Sequence, residues 1–524
     1  MPQEASASAD ADEELSREER IRQRMEEIRE GGPEKYRKRL KDDDKLFVRE
    51  RLRLFFDDGP DFEDGLFANA NADDQLPADG MVTGVGTLDD RKVFFQANDY
   101  TVKAGSMADK GVEKFLRTQE RALRAGKPML YLVDSSGARI TDQSGFFAQG
   151  SGIGKYFYNH SILSGKIPQV AVLYGPCVAG AAYTPVFCDV TIMVEEMSAM
   201  CIASPRMVEM VTGEEVSMDE LGGVDVHAEE SGSCHLVAEN EEHAAMLAAQ
   251  VMSYLPDNCE EQPPRYETRE PGRAPAEIAD IVPEDPNAPF DVRDVITALV
   301  DGDSFLELSA DYAPELVTGW ARLDGRPVGI VANNAMHKAG AIFPDSADKA
   351  AEFITKCDAY NIPLVFLCDT PGFMVGKDVE QEGILKRGKK FIYATSTATV
   401  PKIPIVARRA YGAGLYAMCG LAFEPEALLG LPSAEIAVMG PEAAVNAVYR
   451  RKIDEIEDPE ERKAFIEEKR AEYREDIDVE VMGDELIVDH IVPPEDLRQE
   501  VIERLDTYEG KEFNMPDRKH GTVI

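Results

Sequence analysis

Two segments rich in small residues are the parts of the sequence best suited to chemistry. GPCVAGAAYTP (Gly175–Pro185) follows an apolar run that reads as a buried strand, and AYGAGLYAMCG (Ala410–Gly420) follows another. A Gly/Ala turn that leads from a strand into a helix leaves backbone N–H groups unpaired at the positive end of the helix. Two such groups aimed at one point form an oxyanion hole. Close packing explains one such segment, but two equivalent segments predict two anionic intermediates.

Other chemical motifs are absent from the sequence. GSGIGKY (Gly150–Tyr156) resembles a phosphate loop but has Tyr after the Lys, and no G-x-S-x-G elbow occurs. The seven histidines form no obvious dyad, and the eight cysteines contain no C-x-x-C pair. Cys177 has no neighbour in the sequence that could activate it. We therefore expect backbone chemistry and no metal site.

An internal repeat relates the two segments. A shift of 235 positions places Val82–Asp99 on Val317–Asn334, and further identities occur at the same offset. These include both Lys-Ala-Gly triplets, one lysine, one aspartate and one further glycine in each copy; the pairs are Lys103–Gly105 with Lys338–Gly340, Lys114 with Lys349, Asp134 with Asp369, and Gly137 with Gly372. A period this long indicates duplicated domains.

Each copy has the pattern of βαβ units. Two short strands are followed by an amphipathic helix, a buried strand, another helix and the strand before the small-residue segment. The helices are predicted at residues 114–124 and 347–360, and the strands after them at 128–134 and 362–369. The sequence thus predicts an α/β fold with two similar domains.

The remaining segments are polar. Residues 256–289 contain many prolines and charges, which favours an ordered linker or flap without a long helix or central strand. The first dozen residues are expected to be disordered, and the segment after them is expected to be charged helix. A solvated helix is predicted after Val448.

The charge of the chain limits its partners. Its 524 residues include 98 Asp and Glu against 57 Lys and Arg, which gives a formal net charge of −41. Such a surface repels nucleic acid and anionic membranes. It suits a cytoplasm with molar salt, where the screening length is about 3 Å; an ordinary acidic mesophilic enzyme is the alternative. The acidic N-terminus is no secretion signal, and no apolar run reaches the roughly 18 to 20 residues that span a bilayer. We expect a soluble cytoplasmic protein.

The chain resembles the carboxyltransferase (β) subunits of biotin-dependent acyl-CoA carboxylases, of the propionyl-CoA and methylcrotonyl-CoA type. The resemblance covers roughly residue 37 to the C-terminus. It rests on YLVDSSGARI, the two small-residue segments, VTGEEVSMDELGGVDVH, DTPGFMVGKDVEQEGILKRGKK, SAEIAVMGPEAA and the closing PDRKHG. It implies two tandem crotonase-like (ClpP/crotonase) domains, each a βαβ spiral, that arose by internal duplication.

The resemblance also implies a mechanism. Carboxybiotin on a carrier domain releases CO2, the resulting biotin anion removes the α-proton of the acyl-CoA, and the acyl-CoA enolate captures the CO2. The N–H groups of Ala179 and Gly180 would hold the thioester oxygen, and those of Ala413 and Gly414 the ureido oxygen of biotin. Further contacts are expected from Ser136, Gly137 and Ala181 to acyl-CoA and from Gly412 to biotin.

Domain roles and partners are implied by the same resemblance. Residues 1–35 would be a disordered acidic N-terminus and the start of a helix, 36–257 the acyl-CoA domain, 258–289 the proline-rich linker and 290–524 the biotin domain. The family forms hexamers as trimers of dimers, with each site shared between two subunits. Because the chain has no biotin-attachment MKM and no ATP-grasp loop, a separate biotin carboxylase and a biotin carboxyl carrier subunit are the implied partners.

Several positions depart from the family pattern and leave the acyl group undecided. Ala replaces one Gly in Ala179-Gly180-Ala181, Ser136 stands where Gly is usual, and Tyr416 occupies a place where propionyl-type enzymes have Asp. Propionyl-CoA, acetyl-CoA and 3-methylcrotonyl-CoA are candidate substrates. The alternatives are the α subunit of a membrane decarboxylase, a non-catalytic scaffold of the same fold and, with least support, a biotin-independent hydratase.

Overall fold

The strands form two sheets of eight in the computed structural model, which describes residues 15–56, 58–72, 76–141, 146–511 and 513. The first sheet consists of β1 (Phe62–Asp64), β2 (Met81–Leu88), β3 (Arg91–Asn98), β4 (Met129–Ser135), β5 (Gln169–Val178), β6 (Val190–Val194), β7 (Ala199–Cys201) and β8 (Leu236–Ala238). The second consists of β9 (Leu306–Leu308), β10 (Leu316–Leu323), β11 (Arg326–Asn333), β12 (Leu364–Thr370), β13 (Lys402–Tyr411), β14 (Leu429–Gly430), β15 (Glu435–Ala437) and β16 (His490–Ile491).

The two sheets have the same strand order and directions. The orders are β1-β2-β3-β4-β5-β6-β8, with β7 on β5, and β9-β10-β11-β12-β13-β14-β16, with β15 on β13. In each sheet the first three strands pair antiparallel and the others pair parallel. The predicted α/β fold and the repeat are therefore confirmed. We call residues 62–238 the first half and residues 306–491 the second half.

The helices connect and cover these strands. They are α1 (Arg17–Arg29), α2 (Glu34–Asp42), α3 (Val48–Phe55), α4 (Asp109–Ala125), α5 (Ile153–Leu163), α6 (Tyr183–Phe187), α7 (Pro205–Thr212), α8 (Met218–Gly222), α9 (Glu241–Tyr254), α10 (Ile278–Ile281), α11 (Val292–Leu299), α12 (Pro344–Ala359), α13 (Lys377–Gln381), α14 (Ile384–Thr397), α15 (Ala413–Ala417), α16 (Pro441–Glu455), α17 (Pro459–Asp476), α18 (Val479–Asp484) and α19 (Pro494–Thr507). Between parallel strands they complete the predicted βαβ units, as in β3-α4-β4 and β11-α12-β12.

The predicted helices and strands of the repeat are confirmed, with shifted ends. Helix α4 begins five residues before the predicted start, at Asp109, and ends before Gly126, whose φ of 59° closes the helix in the left-handed conformation. Helix α12 begins three residues early because Pro344 fits the first turn of a helix. Strand β5 extends beyond the predicted Tyr174 to Val178, so the strand itself includes the start of the small-residue segment.

The polar segments also match their predictions in outline. Residues 256–289 form only a short 3₁₀ turn (Pro275–Glu277) and the one-turn helix α10. The charged N-terminal segment is broken into α1, α2 and α3, while the predicted disorder of the first dozen residues lies outside the described part of the chain. Two helices, α16 and α17, occupy the place of the single helix predicted after Val448. Asp458 caps the N-terminus of α17, and Pro459 is the first residue of that helix. Helix α17 has no buried residue.

One continuous hydrophobic core includes side chains from both sheets. It contains Phe95 and Val172 of the first half together with Trp320 and Phe366 of the second half. Polar contacts also join the halves: the Tyr360 hydroxyl donates to Asp189 Oδ2 at 2.7 Å, and His235 Nε2 lies 2.9 Å from Glu352 Oε1. Within the described residues, no helix is both long enough and apolar enough to cross a bilayer.

Candidate active site

The first small-residue segment forms a tight turn at the carboxyl end of a parallel strand. Strand β5 ends at Val178, and Ala179–Ala182 form a 3₁₀ turn that leads into α6. Ala179 has φ of 58°, a left-handed conformation that costs an L-residue about 1 kcal/mol. Ala179 and Gly180 are the first two residues of this turn, so no preceding carbonyl group within the turn can accept from their N–H groups. We call Ala179–Ala182 the first turn.

The second segment forms a related turn, which begins with Gly412. Strand β13 ends at Tyr411, Gly412 has φ of 57° and ψ of −142°, and α15 begins at Ala413. The N–H of Gly412 donates to Ala437 O at 2.9 Å. Ala413 and Gly414 are the first two residues of α15, so their N–H groups have no acceptor within that helix. We call Gly412–Gly414 the second turn.

Strand pairing defines which residues of the two turns are equivalent. Cys177 pairs with Ser135 and Met200, and Ala410 pairs with Thr370 and Ile436 in the same way. Counting onward from Cys177 and Ala410, Ala179 corresponds to Gly412, Gly180 to Ala413 and Ala181 to Gly414. The two predicted N–H pairs are therefore staggered by one residue: Ala179 with Gly180 in the first turn and Ala413 with Gly414 in the second.

The space around each turn differs. A Cβ on Gly414 would lie 2.8 Å from Thr370 Cγ2 and 2.9 Å from Gly372 Cα, so only glycine fits there. A Cβ on Gly180 would meet Ile153 Cδ1 at an ordinary 3.6 Å. Ala181, at the place of Gly414, is 3% exposed and belongs to the hydrophobic core of the first half. The Ala181 methyl group is thus directed into the core and does not narrow an open pocket.

Gly137 lies beside the first turn, and Ser136 precedes it in the chain. Gly137 has φ of 93°, and a Cβ there would lie 2.8 Å from Val178 O, one residue before Ala179. Its N–H donates to Ser135 Oγ at 3.2 Å, and Gly372, its equivalent, donates to Thr370 Oγ1 at the same distance. Ser136 is exposed. The structure therefore brings the predicted acyl-CoA residues into one place.

A second strained loop in each half was not predicted as part of the site. Lys103, Ala104 and Gly105 all have positive φ, between 49° and 62°, and so do Lys338, Ala339 and Gly340, between 46° and 71°. The Ser136 N–H donates to Ala104 O at 3.1 Å, which joins this loop to the first turn through Gly137. Backbone strain of this kind collects at functional sites. Its signal in the sequence was the repeated Lys-Ala-Gly triplet.

Apolar side chains at equivalent positions of the two halves are exposed to solvent. In the first half they are Ile140, 77% exposed, and Ile202, 67% exposed. Their equivalents in the second half are Val375, 79% exposed, and Val438, 80% exposed. Exposed apolar side chains that recur at equivalent positions of the two halves favour a surface that another molecule covers.

Cys177 and His227 lie near the first turn, and neither is free to act as a nucleophile. Burial raises the pKa of the Cys177 thiol far above its ordinary range, so this thiol stays protonated and unreactive. His227, close to β7, has both ring nitrogens engaged, with Met200 O at 2.7 Å and Ser231 Oγ at 2.8 Å. In the described part of the chain, no group of three His, Cys, Asp or Glu residues could hold a metal ion. The turns can therefore supply hydrogen-bond donors to an anion, and these donors are backbone groups.

Comparison with known proteins identifies the class to which this site belongs. Residues 40–523 match the family model described as "Carboxyl transferase domain". Because the match covers most of the chain, the protein belongs to this family. The predicted resemblance to carboxyltransferase subunits of biotin-dependent acyl-CoA carboxylases is thereby confirmed.

Individual relatives span nearly the full length of the chain. An uncharacterized carboxylase, YngE, of Bacillus subtilis is 52% identical over 95% of this chain and 97% of its own length. The propionyl-CoA carboxylase carboxyltransferase subunit of Haloferax mediterranei is 39% identical over 96% of this chain and 98% of its own length. The crystal structure of the transcarboxylase 12S hexamer, with methylmalonyl-coenzyme A and methylmalonic acid bound, matches with a TM-score of 0.91 at 39% identity, over 97% of this chain and 98% of the 12S chain.

The chain is therefore a carboxyltransferase enzyme of the biotin-dependent acyl-CoA carboxylase family. The closing PDRKHG, one of the motifs on which the resemblance rests, lies outside the described residues.

Proposed function

We propose that this chain transfers a carboxyl group from carboxybiotin to the α carbon, or the vinylogous γ carbon, of a short-chain acyl-CoA. The observation that supports this proposal is the pair of turns at equivalent strand ends, each with N–H groups that lack an acceptor in their own helix or 3₁₀ turn. Two anions form during such a transfer, one on each substrate. Two sites of backbone donors suit a reaction of this kind.

The first turn is proposed to hold the acyl thioester. The N–H groups of Ala179 and Gly180 would donate to the thioester oxygen, which gains negative charge as the α-proton leaves. Ser136 and Gly137 lie against the same turn. Ala181 would contribute only its backbone, because its methyl group is buried. Small residues allow the thioester to approach the main chain.

The second turn is proposed to hold the ureido oxygen of biotin. Gly412 has no side chain, and Ala413 is exposed with only a methyl group, so a small planar ring with a carbonyl group would reach the available donors. Bound biotin would supply both the carboxyl group and the base for the α-proton. The N–H groups of Ala413 and Gly414 would orient the ring and stabilise negative charge on its oxygen. This chain then needs no catalytic acid or base of its own.

The assembly is proposed to bring one first turn and one second turn together from two different chains. The side chains of Ile140, Ile202, Val375 and Val438 are exposed in the two halves and would be covered in such a contact. The 12S transcarboxylase, which shares this fold, is described as a hexamer. We propose the same state here, a trimer of dimers, with crotonase-like domains at 36–257 and 290–524 joined by the linker 258–289 and preceded by the acidic segment 1–35.

The proposed reaction also defines partners and setting. The carboxyl donor requires a biotin carboxylase and a biotin carboxyl carrier subunit, because the sequence contains no biotin-attachment motif. The net charge of −41 supports a cytoplasm with high salt and argues against nucleic acid or membrane surfaces as partners.

The direction of transfer depends on the partners. Two relatives, from Propionigenium modestum and Veillonella parvula, are named methylmalonyl-CoA decarboxylase subunit alpha and are 35% and 36% identical to this chain. The same pair of turns would serve the reverse half-reaction. Co-purification with integral membrane subunits would favour the decarboxylase, and co-purification with a biotin carboxylase would favour the carboxylase.

A panel assay tests the proposed activity. The chain is mixed with its biotinylated partner, ATP and labelled bicarbonate in molar KCl, and acid-stable label is measured with propionyl-, acetyl- and 3-methylcrotonyl-CoA. We expect incorporation with at least one thioester and none when the partner is omitted. Failure with every thioester, with biotinylation of the partner verified, would overturn the proposal and leave the non-catalytic scaffold. Tyr416 lies two residues after Gly414 and is half exposed. The thioester that the enzyme prefers would show which acyl group this side chain accommodates.

A further inference from the structure

Each strand that leads into a turn bulges opposite a buried aspartate. Pairing of β4 with β5 runs from Val133–Leu173 to Ser135–Cys177, so Asp134 faces three residues of β5. Pairing of β12 with β13 runs from Cys368–Val406 to Thr370–Ala410, so Asp369 likewise faces three residues of β13. After each bulge, pairing resumes at Cys177 or Ala410, two residues before the first or second turn begins. A bulge bends its strand and changes the direction of the residues after it.

The carboxylate of Asp134 fills the first bulge. Its Oδ2 accepts from Lys45 Nζ at 2.8 Å and from Arg51 Nη1 at 3.1 Å, and the Asp134 side chain has no solvent exposure. A Cβ on Gly175, in the middle of the bulge, would lie 2.2 Å from Asp134 Oδ1. The carboxylate thus touches the bulged backbone directly, and only glycine leaves room for it.

The cations of the first bulge come from outside the sheet. Lys45 precedes α3, and Arg51 belongs to α3. Arg51 is itself held by Glu241 of α9 and lies over the ring of Tyr174, another bulge residue, at 4.5 Å. Through Lys45 and Arg51, the N-terminal segment is therefore attached to β4 and β5, and β5 is the strand that ends in the first turn.

The second bulge has the same carboxylate with different cations. Asp369 Oδ1 accepts from the backbone N–H of Arg409 at 3.1 Å and from its Nε at 2.8 Å, while Oδ2 accepts from Arg408 Nη2 at 2.8 Å. Both arginines belong to the bulge itself. Arg409 Nη2 also donates to Ala339 O, in the strained Lys338–Gly340 loop, at 3.0 Å.

We infer that Asp134 and Asp369 are positioning residues that aim the N–H groups of the first and second turns. A buried charge is costly unless it is paired, yet both halves have a buried aspartate at this place and neutralise it with unrelated cations. The feature that the halves share is the carboxylate at the bulge, two residues from the end of the strand. This role in catalysis rests on the proposed function of the turns; the role in fixing their geometry does not.

The inference predicts local effects that a general contribution to stability would not produce. We compare the full-length wild type with Asp134→Asn, Asp369→Asn and the control Asp324→Asn. Asp324 also accepts from an arginine and a threonine, Arg265 and Thr268, but it lies in the hairpin between β10 and β11. Amide hydrogen exchange is monitored in peptides that cover residues 171–187 and 404–420.

Asp134→Asn is expected to speed exchange several-fold in residues 171–187 and to leave 404–420 unchanged, and Asp369→Asn is expected to do the reverse. In the transfer assay, kcat is expected to fall by about tenfold or more, because displaced donors lose transition-state contacts, while the Kd for the CoA thioester stays within about twofold. The control is expected to change neither reading. Lys45→Met removes one cation but keeps the Asp134–Arg51 pair, so it gives a milder form of the Asp134→Asn pattern if that variant does not fold.

The inference would be overturned if each Asp→Asn variant sped exchange equally in both segments, or changed exchange in neither segment. A kcat that stays at the wild-type value despite faster local exchange would overturn the catalytic part. If the wild type transfers no carboxyl group at all, the proposed function fails, and the exchange pattern alone then decides whether the aspartates position the turns.

Discussion

At the scale of single residues, the two turns reach similar shapes with different side chains. Ala179 adopts a positive φ that costs about 1 kcal/mol, whereas Gly412 combines φ of 57° with ψ of −142°, a region that is essentially restricted to glycine. Ala181 has a buried methyl group where Gly414 has no room for one. The first turn thus accommodates Cβ atoms at these two positions, and the second turn has glycine at both.

Gly414→Ala and Gly180→Ala form a matched pair that tests this difference. The new methyl group at 414 would overlap Thr370 and Gly372, so we expect a loss of about 1 to 3 kcal/mol of stability, as for other overpacked sites. The methyl group at 180 has ordinary contact distances, and we expect stability close to wild type. Thermal unfolding measures both variants, with gel filtration to verify the oligomer. Equal destabilisation by the two changes would contradict the geometry of the turns.

At the scale of elements, the order of strands and helices was predictable and the local geometry was not. Apolar runs and the repeat at offset 235 identified β4, β5, β12, β13 and the helices between them. The bulge opposite Asp134 could not be predicted, because its cations, Lys45 and Arg51, and the Glu241 that holds Arg51 are distant in the sequence. The bulge opposite Asp369 could not be predicted either, because it depends on the pairing of β12 with β13. The one-residue stagger between the predicted N–H pairs became visible only through strand pairing.

Equivalent lysines anchor one helix of each half to a neighbouring loop. Lys349 Nζ, in α12, donates to Ser309 O and Tyr312 O at 2.7 Å each, and Lys114, in α4, donates to Ala78 O and Met81 O. Burial lowers the pKa of both lysines from 10.5 to about 8. The identity of the two lysines in the repeat was predictable, and their burial was not.

The lysine pKa gives a pH-dependent prediction. Between about pH 8 and pH 10.5 the unfolded chain binds a proton on Lys349 that the folded chain lacks, so stability from this group rises with pH, by up to about 1.4 kcal/mol per unit. Lys349→Met should be less stable than wild type because two carbonyls lose their donor, and the gap should widen as pH rises through this range. Calorimetry across this pH range measures the gap. The exposed Lys38→Met serves as control, and a gap that narrows with pH would refute the assignment.

At the scale of the whole molecule, charge is the dominant feature. A net charge of −41 causes self-repulsion, which salt screens as the Debye length falls from about 10 Å at 0.1 M to about 3 Å at 1 M. We expect the Tm and the fraction of chains in the proposed hexamer to increase steadily with KCl, and sucrose at equal osmolality to have less effect. Scanning calorimetry and light scattering measure both. A Tm that is flat between 0.1 and 2 M KCl would argue for an ordinary acidic enzyme.

The proposed assembly requires turns from two chains to cooperate. Gly180→Val places a side chain at the first turn, and Gly414→Val displaces the second turn because its side chain would overlap Thr370 and Gly372. Each variant alone is expected to be inactive. Hybrid hexamers prepared from equal amounts of both contain sites in which an intact first turn meets an intact second turn. If chains mix at random in a symmetric oligomer, about one quarter of the sites are complete.

The decisive measurement is therefore the carboxyl-transfer rate of these hybrids with biotinylated partner and the preferred acyl-CoA. We expect recovery of about one quarter of the wild-type rate, because each site takes one turn from each of two chains. Hybrids as inactive as the single variants would show that the two turns do not meet across chains. Full activity in either single variant would show that its turn holds no reacting anion.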